Sequence, residues 1–487
     1  MTTPGSPRSP RAPRPEVLRA GGLPDDRLPV VIAARRTAVG RAGGALAGVE
    51  AATLVSTALR AALADSRVAP DRVCDVLVGN AVAGGGNLAR LAALEAGLPV
   101  SVPGVTVDRQ CGSGLEAVVL ACRLVAAGAG DVYLAGGGES VSTAPWRVRQ
   151  PSRPGALPEF YGRARFAPEE VGDPDMGVAA ENVAARYGIS RRRQDEFALR
   201  SHRRAVAAQR AGRFTAEITP VRTARGTVDA DECPRPDTSL SALSALRPLF
   251  GRDTGAAGTP GATGAGAPDT RTADAPGTGT PPAPDTATAG AAPDTRAPGV
   301  PGTTPGSAPT PGTVTAGNSC PLNDGAAMVV VTSRAVAREL GHRVVLGFED
   351  AASAGVDPNV LGIGPIASTS RLLARRPHLD LVTPGHGHRE GTVQRIEFNE
   401  AFASQVLASL DALGITVDRV NLDGGALALG HPFGASGAIL VTRLFSQLVR
   451  EPDAGVPVGS RALAMLGIAG GLGITALFTS MTTTAQQ

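Results

Sequence analysis

The feature that most restricts this chain is a repeated pairing of short β-prone runs with long apolar helices. Residues 28–33, 73–78, 102–107 and 131–135 read as strands, and 51–64, 88–96 and 115–127 read as the helices between them. The pattern returns late, with strands at 393–398 and 461–468 and helices at 401–413 and 438–449. Such alternation implies an α/β fold with mostly parallel sheets covered by helices. Its recurrence implies two similar α/β halves. Cys74 reads as core within its strand. Gly136, Gly137 and Gly138 read as a turn after the fourth run, and Ala469-Gly470-Gly471 echoes them after the last.

The rest of the chain behaves differently. Residues 1–27 carry arginines and prolines without an apolar signal-peptide core and read as a disordered tail. Residues 146–250 are more charged, with helices expected at 181–187 and 191–211. Arg200, Arg203, Arg204 and Arg210 on the second form either a solvated face or a surface attracting phosphates. Residues 254–311 are mostly Gly, Ala, Pro, Thr and Asp, which bury too little apolar surface to offset ordering entropy, and they read as a disordered insert. The expected divisions are a first half at 28–145 completed by 312–334, the charged segment 146–250, and a second half at 335–480.

Composition narrows the function classes. A net charge of +3 gives no argument for nucleic acid, and no apolar run reaches the roughly 20 residues of a membrane span. The cysteines at 74, 111, 122, 233 and 320 have no metal-ligand spacing. Cys111 and Cys122 lie roughly 16 Å apart at helical rise, too far to bridge. All five are read as reduced, which suits a cytoplasmic protein. His386 and His388 form a pair without a further nearby ligand, so no metal site is expected.

The chemistry centres on Val107-Asp108-Arg109-Gln110-Cys111-Gly112-Ser113-Gly114. A cysteine between a strand and a helix meets unpaired N–H groups and the positive end of the helix dipole, which favour a thiolate. Its alternative is a plain core cysteine before a glycine turn. Two later stretches weigh against that alternative: Glu397-Phe398-Asn399-Glu400-Ala401-Phe402, and Asn421-Leu422-Asp423-Gly424-Gly425 running on to Gly430-His431-Pro432-Phe433-Gly434. With Thr315-Ala316-Gly317-Asn318, Asn323-Asp324-Gly325 and Gly362-Ile363-Gly364-Pro365, these blocks resemble the thiolase family, the acetyl-CoA C-acyltransferases, in order from about residue 29 to 478.

The resemblance implies two α/β halves with an intervening loop domain at 146–250. It implies coenzyme A thioesters as substrates, no resident cofactor, and a homodimer or homotetramer. Cys111 would carry the acyl group, His431 would take its proton, and Asn399 would hold an oxyanion or an ordered water. Backbone N–H groups at Cys111 and Ala469 would form a second oxyanion site. Met176, Leu361 and Phe402 match pocket-lining positions. Cys320 stands where many relatives carry serine near the pantetheine arm, and reads as a small pocket residue more than a second catalyst. Glu400 would orient its neighbours.

One block departs from the family. Thiolases usually carry a cysteine near the C-terminus that moves the α-carbon proton of the second substrate. The aligned stretch here is Leu466-Gly467-Ile468-Ala469-Gly470-Gly471, and Gly467 has no side chain. Three readings follow: full thiolase chemistry, an acyltransferase that acylates but condenses poorly unless His431, Cys320 or a water substitutes, and a non-catalytic partner subunit of the same fold. Cys111, Asn399 and His431 together argue against the third.

Overall fold

The computed structural model describes residues 23–82, 84–250, 312–382, 391–450 and 456–483. The tail up to residue 22, the whole 254–311 insert, His386 and His388 lie outside the described residues. Residues 25–27, expected as the end of the tail, form a short helical turn instead. Arg27 there pairs with Asp131 at 2.6 Å, and Asp25 and Asp26 pair with Arg334 and Arg338.

The principal strands are β1 (Pro29–Thr37), β2 (Asp75–Gly79), β3 (Gly104–Val107), β4 (Val132–Ser140), β5 (Asn323–Ser333), β6 (Val344–Gly355), β7 (Val393–Phe398), β8 (Arg461–Ile468) and β9 (Leu472–Thr482). They hydrogen-bond in the order β7-β8-β9-β6-β1-β5-β4-β2-β3. The two halves meet where Val30 and Val31 of β1 pair with Gly347 and Leu346 of β6. On either side of that seam the pattern repeats. β4 lies parallel to β2, and β8 lies parallel to β7. β5 and β9 are antiparallel to both of their neighbours. The duplication is present, but each half is mixed: only the outer pairs, and β3 against β2, are parallel.

The main helices are α1 (Ala51–Ser66), α2 (Leu88–Glu95), α3 (Ser113–Ala127), α4 (Met176–Tyr187), α5 (Arg191–Arg210), α6 (Gly364–Arg375), α7 (Ala403–Leu413) and α8 (Phe433–Phe445). Alternate residues of β1 face opposite sides. Val30 and Ile32 pack with Leu54 and Leu59 of α1, while Val31 packs with Leu115 of α3, Leu440 of α8 and Leu466 of β8. Leu372 of α6 and Val406 of α7 cover Ile396 and Leu463 on the far side. The result is five layers, with α3 and α8 sandwiched between the two half-sheets. Most of α3 is apolar because it is enclosed on both sides.

Glycine permits that central layer. A Cβ at Gly137 would stand 1.9 Å from the carbonyl oxygen of Gly434, and one at Gly114 would stand 2.5 Å from the same oxygen. A Cβ at Gly136 would meet the Ala327 oxygen at 2.1 Å. Gly136–Gly138 are therefore not a turn: β4 runs straight through them, buried, with backbone pressed against backbone. Cys74 is also corrected. It is exposed, just before β2 begins.

The charged middle segment is tied in by buried ion pairs rather than left to solvent. Arg36 of β1 donates to Glu217 at 2.7 Å and to both carboxylate oxygens of Asp231 at 2.7 and 2.8 Å. Arg443 of α8 pairs with Glu217 and with Asp423. Both guanidiniums lie over the Phe214 ring, at 5.3 and 4.7 Å from its centroid. Arg200 and Arg204 of α5 likewise donate to backbone carbonyls, those of Val417 and Val420. They brace the segment leading to Asn421 and are not free to hold phosphates.

Gly137→Ala is expected to cost about 1–3 kcal/mol or more, because neither backbone nor α8 has room to yield. Gly48→Ala, where no atom lies within 4 Å of the new methyl, serves as the neutral comparison. Thermal melts of the two variants check this; equal melting would remove the close approach as a constraint.

Candidate active site

Cys111 sits on a strained elbow. Gln110 before it has φ +48°, a left-handed conformation that non-glycine residues seldom adopt. Local bonds hold it there. The Gln110 N–H donates to Asp108 Oδ1 at 2.7 Å, the Arg109 N–H to Ser113 Oγ at 2.8 Å, and the Ser113 hydroxyl to the Gln110 carbonyl at 2.6 Å. Gly112 caps α3, so Cys111 lies two residues before the first helical residue. A Cβ on Gly112 would strike Ile468 Cδ1 at 2.4 Å, which brings the end of β8 against the elbow. Ala469 then directs its backbone N–H at the Cys111 sulfur, as does Cys111 itself. These are the two backbone donors that the sequence reading placed at an oxyanion site.

Burial wins over the donors. It pushes the Cys111 thiol up to about 11, and the carboxylates of Glu139 and Asp108 add to the rise. The expected thiolate is thus not the resting form at neutral pH.

Asn399 and His431 arrive from the second half. Asn399 directly follows β7, and its N–H donates to the Met465 carbonyl of β8 at 3.0 Å. Its side-chain nitrogen lies 3.4 Å from His431 Nε2. His431 Nδ1 lies 2.6 Å from Ser436 Oγ, and its backbone N–H donates to Asn323 Oδ1 at 2.8 Å. With Nδ1 protonated toward Ser436, Nε2 keeps a lone pair on the Asn399 side. Burial pushes His431 down to about 4, so the imidazole is neutral and able to accept a proton.

Neither Ser436 nor Asn323 stood out in the sequence as a partner of His431. The first lies five residues on, within the helix that follows. The second is a long-range contact for which no local signal exists. Glu139 was also missed. It is buried and accepts from Asn80 Nδ2 at 2.6 Å and from the N–H groups of Ala81, Val82 and Gly434 at 3.0, 3.1 and 3.0 Å. It thereby ties the end of β4 to the first turn of α8.

Cys320 joins the same place. Its N–H donates to the Ala401 carbonyl at 2.9 Å, Ser319 bridges to Phe402, and Leu322 bridges to His431. Glu400 does not face substrate. It accepts from Ser201 Oγ at 2.6 Å, Asn421 Nδ2 at 2.7 Å and the Leu427 N–H at 3.2 Å, which orients the loop toward His431. Met176 opens α4, and Leu361 lies buried in the turn Pro358–Ile363. Asn182 of α4 donates to the Asn359 carbonyl of that turn at 2.9 Å, so the two residues belong to adjoining walls. Gly362 of the same turn abuts Gly467: a Cβ on residue 467 would stand 2.9 Å from the Gly362 oxygen. Among the described residues, no group of three or more His, Cys, Asp or Glu side chains is placed to hold a metal ion.

The chain is similar to known proteins along almost its whole length. The family model described as "Thiolase, N-terminal domain" matches residues 29–266 and 291–335, and "Thiolase, C-terminal domain" matches 343–480. A Staphylococcus aureus protein provisionally named acetyl-CoA C-acetyltransferase VraB is 40% identical over 452 residues, 92% of this chain and 98% of the relative. Its Staphylococcus epidermidis counterpart is 38% identical over the same length and shares. The Bacillus anthracis acetyl-CoA acetyltransferase structure superposes with TM-score 0.72 at 29% identity, covering 93% of this chain and 99% of that one. Human mitochondrial 3-ketoacyl-CoA thiolase gives TM-score 0.72 at 29% identity, covering 96% and 100%.

The neutral thiol and neutral imidazole set a pH dependence. The Cys111 pKa is raised, so its thiolate fraction grows about tenfold per pH unit up to the raised value. Inactivation by iodoacetamide, followed by mass spectrometry at Cys111, is expected to climb steadily from pH 7 to pH 10. A plateau beginning below pH 8 would instead reveal a thiolate–imidazolium pair.

Proposed function

The chain belongs to the thiolase family of acyltransferases, and on that footing we propose that it moves acyl groups between coenzyme A thioesters through an acyl-Cys111 intermediate. The reaction is of the acetyl-CoA C-acetyltransferase or 3-ketoacyl-CoA thiolase type. The observation that carries this reading is the Cys111 elbow with the Ala469 N–H at its sulfur and the Asn399–His431 pair built onto the same strand ends. Cys111 Sγ attacks the thioester carbonyl while His431 Nε2 takes its proton. The carbonyl oxygen gains charge against the N–H groups of Cys111 and Ala469, which are fixed before the reaction begins. Asn399 and His431 serve the carbonyl of the second thioester. Met176, Leu361 and Phe402 shape the acyl and pantetheine path, and coenzyme A and its thioesters are the only small molecules the reaction requires.

Gly467 favours a second reading, in which the chain acylates but forms carbon–carbon bonds poorly. The Gly362 carbonyl occupies the space a side chain there would need, so Gly467→Cys requires that turn to move.

The assembly we favour is a homodimer across β3. This strand ends the sheet, and Val105 on it, with Leu91, Leu94 and Val100 beside it, is exposed. An open apolar edge invites pairing with a second copy. The nucleophile elbow follows β3 directly, so such pairing would steady Cys111. Val105→Lys is expected to give monomers by analytical ultracentrifugation; an unchanged sedimentation profile would move the interface elsewhere.

The central test is intact-mass analysis after mixing with a panel of acyl-CoAs. One acyl group on Cys111 is expected, none in Cys111→Ser, and acylation about 10²–10⁴-fold slower in His431→Ala. Undiminished labelling of Cys111→Ser would point to another nucleophile.

A further inference from the structure

Once Cys111 is acylated, bond formation between two acyl groups needs a base for the α-carbon proton of the second thioester. Residue 467 has no side chain to offer. Glu400 is committed to Ser201, Asn421 and Leu427. His431 is taken up in moving the Cys111 proton. Cys320 is the group that remains.

Its placement suits the task. The segment 318–323 is pinned at both ends of the site, by Ser319 against Phe402, by the Cys320 N–H on Ala401, and by Leu322 and Asn323 against His431. Ser319 and Pro321 line a separate shallow cavity with Arg41, His202 and Arg235, and Cys320 between them does not. Of the ionisable groups around Cys320, Cys111 acts on it most strongly.

We propose that Cys320 is the second catalytic thiol of this site and takes the α-proton of the incoming thioester. The proposal rests on the acyltransferase reading above. In acylation, the Cys111 proton passes to His431, the bond from the acyl carbon to coenzyme A breaks, and the departing thiolate takes that proton from the imidazolium. Cys320 then gives its own proton to the neutral His431 and becomes the thiolate. It removes an α-proton from the second thioester, and the freed C–H electron pair forms the new bond to the acyl carbon on Cys111. The Cys111 C–S bond breaks, and its sulfur recovers the proton held by His431. All three groups return to their starting state with no net electron transfer.

The order of events is built into the charges. Burial and an ionised Cys111 both push the Cys320 thiol well up. Like charges this close do not ionise together. Acylation keeps Cys111 from ionising, so a Cys320 thiolate formed afterwards meets no like charge there.

The test measures three rates in one preparation of wild type, Cys320→Ser and Cys320→Ala. They are acylation of Cys111 by acetyl-CoA, deuterium entry into the α-carbon of acetyl-CoA in heavy water, and thiolysis of acetoacetyl-CoA. In Cys320→Ser, which keeps the shape of the site, deuterium entry and thiolysis are expected to fall about 10²–10⁴-fold, with acylation falling at most tenfold. Exchange and thiolysis within tenfold of wild type in both variants would overturn the assignment. So would equal loss of all three rates in Cys320→Ser, the mark of a pocket residue, or a wild type that acylates without exchanging α-protons. A wild type that fails to acylate would overturn the acyltransferase reading itself.

Discussion

Everything at the centre of this protein depends on backbone meeting backbone without intervening side chains. Gly114 at the start of α3, Gly137 in β4 and Gly434 at the start of α8 converge on one carbonyl oxygen, and Gly79 closes the same contact from β2. Only hydrogen fits at these points. The contact lets two helix N-termini approach over the strand ends, and Glu139 then bonds across the junction to the Gly434 N–H. Enlarging any of these glycines would separate the elbow that carries Cys111 from the loop that carries His431.

The same tight packing sets the charge state of the site. A cysteine before a helix is expected to ionise easily, and the Ala469 and Cys111 N–H groups do favour the anion. Yet enclosure raises the thiol to about 11 and lowers the imidazole to about 4. Desolvation therefore outweighs dipole and hydrogen bonds in the resting protein. The two N–H groups stand beside the sulfur in that resting, uncharged state.

Much of this was legible in the sequence. The strand–helix alternation located β7, β8 and α1 nearly to the residue, and the start of β1 though not its end, because those elements combine clear apolar period with clear boundaries. The motifs around Cys111, Asn399 and His431 marked groups that the structure brings together or builds onto adjoining strand ends. The misreadings share a cause. Gly136–Gly138 look like a turn locally, and only the α8 backbone packed on them shows why a strand needs glycine. Of the four α5 arginines read as a solvated face, Arg203 and Arg210 are exposed, and only the 417–421 segment lying over the helix shows that Arg200 and Arg204 are engaged. Mixed strand direction was hidden because β5 and β9 return from elsewhere in the chain, and sequence period does not encode direction.

The duplication places Cys111 and His431 at matching points of the two halves. α3 precedes β4, and α8 precedes β8, the matching strand of the second half. Cys111 lies two residues before the first residue of α3, and His431 lies two residues before the first residue of α8. Cys111 and His431 thus occupy equivalent positions in the two halves, each at the N-terminal end of a central helix. The halves differ in what surrounds those positions: a strained elbow with Gln110 at positive φ on one side, a loop held by Asn323 and Ser436 on the other. A repeated fold supplied two similar helix starts facing one another. Their different neighbours leave one a buried thiol beside two N–H donors and the other a neutral imidazole with Nε2 turned to Asn399.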